Sequence, residues 1–193
     1  MAKSNYNFKV VVGGAGGVGK TTLLHRYLHN EFLTDTTMTV GVDFHNKEVI
    51  KDGTKILLTI WDLGGQERFR FFQPSYCAGS RAAFIFFDLT MMSTALQVKD
   101  WAAMFRAHAA PNIPIILCGT KLDLATTEML AEVNDYARSL VDELGLANYF
   151  ATSSLTGENI EEMFDYIIEL ILQQGNEKPV ASGFSYIQGE NEE

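Results

Sequence analysis

The stretch GGAGGVGKTT (residues 13–22) satisfies two nucleotide-binding patterns at once. Three of its glycines match G-x-G-x-x-G, the turn of dinucleotide-binding folds. The first and last of those glycines, together with Lys20 and Thr21, also match G-x-x-x-x-G-K-T, the P-loop that binds nucleoside triphosphates. The glycines alone do not decide between the two folds, so the decision rests on the residues around them.

Those neighbouring residues favour the P-loop. A dinucleotide site needs an acidic residue about 20 positions further on, at the end of the second strand. Asp35 lies near that position, but no apolar strand precedes it, and Asp43 begins a strand instead of ending one. In a P-loop, backbone N–H groups cradle the phosphates, the lysine reaches the outer phosphates and the threonine hydroxyl binds Mg²⁺. Lys20 and Thr21 therefore predict a triphosphate site, with a purely structural glycine turn as the remaining alternative.

The composition suits one folded domain. Of 193 residues, 47% are hydrophobic and 20% charged, and a chain of this length can bury a sizeable core. The longest apolar run, AAFIFF (82–87), is far too short to cross a bilayer. A formal net charge of −9 without a basic run argues against nucleic acid as a partner, because such binding needs Lys and Arg on the phosphates. The two cysteines form no ligand pattern and are typical of a reducing interior.

Strands and helices alternate along the chain. The apolar patterns predict strands at 7–12, 42–50, 55–62, 82–88 and 113–120, and helices at 20–29, 99–108, 128–144 and 159–174. Asp52-Gly53, between the second and third strands, is a strong hairpin signal. This order predicts a three-layer α/β fold with a mostly parallel sheet and one antiparallel edge strand. Residues 175–193 are polar and end in acidic residues, which predicts a mobile tail.

Two later motifs bear on which nucleotide would bind. Asp62 ends an apolar strand in WDLGGQE (61–67), where P-loop NTPases place a carboxylate behind Mg²⁺; a simple strand-end turn is the alternative. Asp123, in GTKLD (119–123), can accept hydrogen bonds from both N1–H and N2–H₂ of guanine. Adenine does not offer this pair of donors, so Asp123 favours GTP over ATP.

Taken in order, these motifs resemble those of the Ras superfamily of small GTPases, most closely the Rab branch, over about residues 7–174. The resemblance implies a P-loop NTPase G domain at residues 1–174 with a six-stranded sheet, followed by the tail at 175–193. It implies GTP or GDP and Mg²⁺ as cofactors. It also implies an enzyme that slowly hydrolyses GTP to GDP and phosphate and signals to effectors through two switch loops.

The resemblance also assigns roles to individual residues. Gln66 matches the glutamine that orients the attacking water, and Gly65 matches the glycine whose N–H binds the γ-phosphate. The implied catalytic residues are Lys20, Thr39, Gly65 and Gln66, and the implied Mg²⁺ ligands are Thr21 and Thr39, with Asp62 behind them. No arginine lies between Phe32 and Thr39, in the segment that matches the first switch, so an external activating protein is expected to raise the rate by up to ~10⁵, as for Ras.

The implied nucleotide contacts lie in or beside the phosphate loop (14–21), the first switch (32–44), the second switch (from 62) and two base loops, TKLD (120–123) and ATSSL (151–155). They are Gly16, Gly17, Val18, Gly19, Lys20, Thr21, Thr22, Phe32, Thr39, Gly65, Thr120, Lys121, Asp123, Leu124, Ser153, Ser154 and Leu155. Separately, Phe44, Trp61 and Tyr76 match the aromatic triad that Rab proteins present to effectors. Ordinary packing on the sheet is the alternative explanation of these three aromatic residues.

Several positions depart from the family pattern. Gly64 stands where Ras and Rab have alanine, as in Arf-like proteins, and two adjacent glycines are expected to loosen the second switch. Thr120 replaces asparagine, as in Rho relatives, and guanine binding is expected to survive this change. Leu155 replaces a lysine that stacks near the base, and Thr36 replaces the tyrosine that Ras places over the phosphates. The C-terminal GENEE carries no cysteine for prenylation, so we expect either no lipid anchor or a truncated chain; an archaeal or bacterial relative would fit this feature.

The leading hypothesis is therefore a hydrolysing GTP switch. A nucleotide-dependent binding module with negligible hydrolysis is the first alternative, motivated by the altered first switch and base loop. An enzyme that uses ATP or a dinucleotide is the second. The expected partners are a GTPase-activating protein, an exchange factor and effectors, and the protein is expected to be a cytoplasmic monomer that visits membranes only through such partners.

Overall fold

A computed structural model describes residues 6–35, 38–65 and 73–174 of the chain. In these ranges a six-stranded sheet carries helices on both faces. The strands are β1 (Tyr6–Gly14), β2 (Val42–Lys51), β3 (Thr54–Leu63), β4 (Ala82–Asp88), β5 (Ile115–Thr120) and β6 (Asn148–Ala151). The helices are α1 (Lys20–His29), α2 (Gln73–Cys77), α3 (Met92–Ala95), α4 (Val98–His108), α5 (Thr127–Leu144) and α6 (Ile160–Gln174), and a 3₁₀ turn covers Leu122–Leu124.

The sheet has the topology that the sequence predicts. The strand order is β2-β3-β1-β4-β5-β6, with β2 and β3 antiparallel and all other neighbouring pairs parallel. Asp52 and Gly53 join β2 to β3 with φ values of 51° and 68°, the pair of positive φ angles that a tight hairpin turn demands. The α/β fold with one antiparallel edge strand is thus confirmed.

Two apolar layers hold the helices against the sheet. On one face, α1 and α6 cover the sheet, and Phe164 stacks on Tyr27 with ring centroids 3.6 Å apart. On the other face, α4 and α5 pack on the sheet, and the ring of Trp101 lies so close to Gly13 that any Cβ atom there would overlap it. None of the helices in the described ranges has the length and apolarity that crossing a bilayer requires.

The parallel strands bring the ends of distant segments to one edge of the sheet. In β1 and β3, Val12 pairs with Asp62, and in β4 and β5, Asp88 pairs with Thr120. The loops that follow β1, β3, β4 and β5 therefore leave the sheet side by side, which is where ligands bind in open α/β sheets.

The sequence patterns did not locate β6, α2 or α3. β6 has only four residues, and α3 also has four, so neither is long enough for a periodic apolar pattern to be recognised. Residues 175–193 lie outside the described residues, so the tail and the domain boundary at residue 174 stay predictions.

Candidate nucleotide-binding site

The loop between β1 and α1 wraps around the start of the helix. Gly17 and Gly19 have φ values of 75° and 90°, which only glycine adopts without strain. Lys20 begins α1, and its Nζ donates back to the carbonyls of Gly14 and Ala15 at 3.0 and 2.9 Å. The unpaired N–H groups of the first helical turn thus lie beside the lysine, as an anion-binding helix N-terminus requires.

A cleft of about 190 Å³ opens above this loop. It is lined by Gly16, Gly17, Gly19, Lys20, Thr21, Thr22, Met38, Thr39, Gly65 and Lys121. The structure thereby brings together residues from the phosphate loop, both predicted switches and the predicted base loop. Met38 was not among the predicted contacts, because a methionine carries no chemical signal for phosphate binding.

Burial tunes the charge of Lys20. Its side chain is only 5% exposed, and this burial lowers the pKa of the ammonium to about 8, although nearby Asp62 acts in the opposite direction. A buried ammonium that is bonded only to carbonyls lacks a full counter-charge. An anion bound in the cleft would supply that charge, so the site is electrostatically suited to phosphate.

Two hydroxyls and a carboxylate meet beside the lysine. Thr21 Oγ1 donates to Asp62 Oδ2 at 2.5 Å and lies 2.7 Å from Thr39 Oγ1. Asp62 is fully buried, which raises the pKa of its carboxyl, and its Oδ1 has no hydrogen-bond partner. Oxygen ligands of this kind are those that Mg²⁺ prefers, so the donor set and the unpaired carboxylate oxygen fit a Mg²⁺ ion held by Thr21 and Thr39.

Gly64 and Gly65 are tightly packed, contrary to the expectation that they loosen this segment. The N–H of Gly64 donates to Gly41 O at 2.8 Å, and its carbonyl accepts from Gln73 Nε2 at 2.7 Å. A Cβ atom on Gly64 would lie 2.7 Å from Thr39 O, and one on Gly65 would overlap the backbone of the phosphate loop. Both glycines therefore permit close approach of backbones, and neither has a positive φ.

Thr120 connects the phosphate loop to the predicted base loop. Its buried Oγ1 lies 2.5 Å from Val18 O and 3.0 Å from Phe87 O, and its one proton serves these two carbonyls. The hydroxyl thus holds the end of β5 against the loop after β1 and against β4. This contact gives a structural reason for threonine at the position where the family pattern has asparagine.

The two predicted base loops are bonded to each other. Ser153 Oγ donates to Asp123 Oδ1 at 2.5 Å and accepts from Thr156 N at 3.1 Å, while Leu122 N donates to Thr152 O at 3.0 Å. The carboxylate of Asp123 is exposed and keeps Oδ2 for another donor. The 120–124 and 153–156 segments therefore form one wall beside the cleft.

Other predicted contacts lie further out. Phe32, Leu124 and Leu155 are exposed side chains and do not line the cleft. Gln66 lies outside the described residues, as does Thr36, so the water-positioning role stays a prediction. Ser154, which follows Ser153 in the second base loop, is buried.

Lys121 makes an ion pair with a residue that the sequence patterns did not single out. Its backbone has a φ of 61°, and its Nζ lies 2.6 Å from Asp88 Oδ2. Asp88 also accepts from Thr90 N at 2.8 Å and Thr90 Oγ1 at 2.7 Å. Burial alone would raise the pKa of Asp88, but the bonds from Lys121 and Thr90 outweigh it and leave the pKa below its usual value. Asp88 ends a predicted strand, but its pairing with Lys121 joins residues far apart in the chain, so no local sequence signal indicated it.

The three predicted effector aromatics form one cluster. Phe44 meets Trp61 edge-on at 4.5 Å between ring centroids, and Tyr76 lies 5.8 Å from Trp61. Lys9 Nζ sits 3.5 Å from the centroid of the Trp61 ring and donates to Ala78 O at 2.9 Å. The ammonium holds the indole by a cation–π contact, a feature that no pattern in β1 predicted.

Comparison with known proteins is consistent with this geometry. A sequence model of the Ras family matches residues 9–173. The chain is 39% identical over 160 residues to human Ras-related protein Rab-4B, covering 83% of this chain and 74% of that protein. It is 36% identical over 182 residues to human Rab-27B, covering 88% and 82%, and 38% identical over 164 residues to Rab-4 of Dictyostelium discoideum, covering 85% and 78%.

Thr120→Val should destabilise the protein. Valine has nearly the shape of threonine but lacks the hydroxyl that serves Val18 O and Phe87 O. We expect a loss of about 1–3 kcal/mol in the free energy of unfolding, measured by urea denaturation. Thr120→Ser, which keeps the hydroxyl, should retain most of that stability. Equal stability of the valine and serine variants would contradict the bridging role of the hydroxyl.

Asp88 should make stability sensitive to acid. Because its pKa is lower in the folded state than in the unfolded chain, its stabilising contribution is present at neutral pH. That contribution is lost as the pH falls from about 4 through the folded pKa. The difference in unfolding free energy between the wild type and Asp88→Asn should therefore stay constant from pH 7 to 5 and shrink below pH 4. A difference that does not change across this range would contradict the assignment.

Proposed function

The chain belongs to the Ras family, and we propose that the cleft above the phosphate loop is the Mg²⁺–GTP site through which it acts. It is a small GTPase, a molecular switch that binds GTP and GDP with Mg²⁺ and hydrolyses GTP to GDP and phosphate. Its partners are of two kinds, regulatory proteins and effectors. The roles of its individual residues are proposed below.

One observation carries the residue assignment. The Thr21 and Thr39 hydroxyls come from different segments yet lie 2.7 Å apart, and Thr21 also contacts the buried Asp62. An unpaired carboxylate oxygen next to two converging hydroxyls needs a cation or a donor to compensate it. We therefore assign Thr21 and Thr39 as the Mg²⁺ ligands, with Asp62 behind them. Mg²⁺ would supply neutralisation of the charge on the outer phosphates.

The phosphates would be held by the loop and the start of α1. We assign the backbone N–H groups of Gly16, Gly17, Val18, Gly19 and Thr22 to the phosphate oxygens, and the Lys20 ammonium to the outer phosphates. The low exposure of Lys20 supports this role, because a desolvated cation stabilises developing charge strongly. Gln66 would orient the attacking water. The reaction needs positioning and charge stabilisation in place of covalent catalysis. Because no arginine lies between Phe32 and Thr39 to stabilise the transition-state charge, we expect slow intrinsic hydrolysis.

The switch would be the ordering of two loops around the γ-phosphate. Thr39 and the N–H of Gly65 would both engage this phosphate, and both loops would relax when it leaves. The packing of Gly64 against Thr39 O and Gly41 supports direct coupling between the two loops. We propose that the Gly-Gly sequence, which resembles that of Arf proteins, serves this close contact.

The guanine would lie against the wall formed by the two bonded base loops. Asp123 would accept from N1–H and N2–H₂, and backbone N–H groups near Ser154 would face the guanine carbonyl. The bond from Ser153 supports this role, because it fixes the Asp123 carboxylate. The remaining assigned contacts are Phe32, Thr120, Lys121, Leu124 and Leu155.

We further propose that Phe44, Trp61 and Tyr76 form the effector surface, since the three rings are in contact and Phe44 is half exposed. The G domain would end at residue 174 and the tail would occupy residues 175–193. The protein would act as a cytoplasmic monomer and reach membranes through its partners.

Asp123→Asn should change the base preference. An asparagine amide can donate as well as accept, so it matches the N1–H and C2 carbonyl of xanthine but not the two donors of guanine. We expect GDP affinity to fall by about 100-fold or more and XDP affinity to rise, measured by competition with a fluorescent nucleotide. Asp135→Asn, an exposed carboxylate on α5, is the matched control. Unchanged base preference in Asp123→Asn would show that another group reads the base.

Gly64→Ala should weaken GTP binding more than GDP binding. The added methyl group would meet Thr39 O at 2.7 Å and Gly41 O at 3.0 Å, which displaces the segment that carries Thr39. Such overpacking costs about 1–3 kcal/mol. Affinity for a non-hydrolysable GTP analogue should therefore fall by about 5- to 100-fold, whereas GDP, which has no γ-phosphate for Thr39, serves as the internal control. Equal changes for both nucleotides would refute the coupling.

A further inference from the structure

Asp88 is a buried carboxylate whose position is unusually well fixed. It ends β4, opposite Thr120 in β5, and its N–H donates to Thr94 Oγ1 at 2.9 Å. Oδ1 accepts from the N–H and the hydroxyl of Thr90, which leaves Oδ2 for Lys121. Thr90 therefore holds the carboxylate and Thr94 holds the backbone of the same residue, both independently of the lysine.

The pair that Asp88 forms differs from the other lysine–carboxylate pairs among the described residues. Lys51–Glu169, Lys55–Glu48 and Lys99–Glu143 have carboxylate side chains that are 50–61% exposed, whereas the Asp88 side chain is 4% exposed. Exposed pairs contribute little because water and salt screen them. A carboxylate shielded from water holds its partner more firmly, so we expect Lys121, whose side chain is 35% exposed, to be held more firmly than the lysines of the exposed pairs.

The ion pair with Asp88 neutralises the positive charge of Lys121, although the cleft is suited to a polyanion. Lys121 lines the same cleft as Lys20, yet its ammonium is neutralised by Asp88 while that of Lys20 bonds only to carbonyls. The two lysines therefore have different uses. Lys20 offers charge, whereas Lys121 offers the apolar stem between its Cα and its anchored ammonium, which presents a flat hydrocarbon surface.

We propose that Asp88 is a positioning residue for guanine-nucleotide binding, acting by anchoring Lys121 so that its stem forms a preformed wall for the nucleotide. This inference rests on the assignment of the cleft as the GTP site. A free lysine would lose rotamer freedom when the nucleotide binds, and Asp88 removes that cost in advance.

The test is a double-mutant cycle on nucleotide affinity. Release and binding of fluorescent GDP would be measured for the wild type, Asp88→Asn, Lys121→Met and the double variant, with thermal melts to confirm folding. Asp88→Asn keeps the acceptor for Thr90 but loses the charge that holds the ammonium, and Lys121→Met keeps a stem without an ammonium. Glu143→Gln, which breaks the exposed pair with Lys99, is the matched control.

We expect Asp88→Asn to weaken GDP binding about three- to tenfold, mainly through faster release, because one long side chain must now be ordered on binding. In the Lys121→Met background the same change should have no further effect, since no ammonium remains to anchor.

An equal effect of Asp88→Asn in both backgrounds would overturn the inference, because Asp88 would then act without Lys121. Unchanged or tighter GDP binding by Asp88→Asn would also overturn it. Failure of the wild type to bind GDP would instead refute the assignment of the cleft itself, and the inference with it.

Discussion

The contact of the Thr21 hydroxyl with both Asp62 and Thr39 is the interaction on which the rest of the site depends. Thr21 belongs to the first turn of α1, Asp62 to β3 and Thr39 to the loop before β2. Three segments that are distant in the chain thus meet at one oxygen atom. They meet there because β1 and β3 are parallel neighbours, which puts the phosphate loop and Asp62 at the same edge of the sheet.

A second set of contacts ties the base side to the phosphate side. Thr120 bonds to Val18 in the phosphate loop, and Arg26 of α1 donates to Thr156 O at 3.3 Å in the second base loop. The close approach of Gly64 to Thr39 connects the start of the predicted second switch to the first. These contacts join segments that are distant in the chain, which supports the proposal that loss of one phosphate alters two loops together.

The features of the fold that depend on regular sequence patterns could be predicted. The P-loop residues, the Asp52-Gly53 hairpin and the continuous apolar strands each have a local signature, so the fold could be predicted, and the P-loop residues also predict the phosphate site. The anchoring of Lys121 by Asp88 and the cation–π contact of Lys9 with Trp61 could not, because each joins residues far apart in the chain. Gly64 was misjudged for a related reason. Its flexibility is a local property, whereas the Thr39 carbonyl that packs on it comes from another loop.

Single-turnover hydrolysis of GTP tests the central claim most directly. Nucleotide-loaded protein with Mg²⁺ would be followed for phosphate release in the wild type, in Gln66→Leu and in Thr39→Ala. We expect slow hydrolysis by the wild type and a rate at least about tenfold lower in both variants, because one would lose the group proposed to orient water and the other a hydroxyl of the proposed Mg²⁺ site. Brisk hydrolysis that neither substitution changes would contradict this claim.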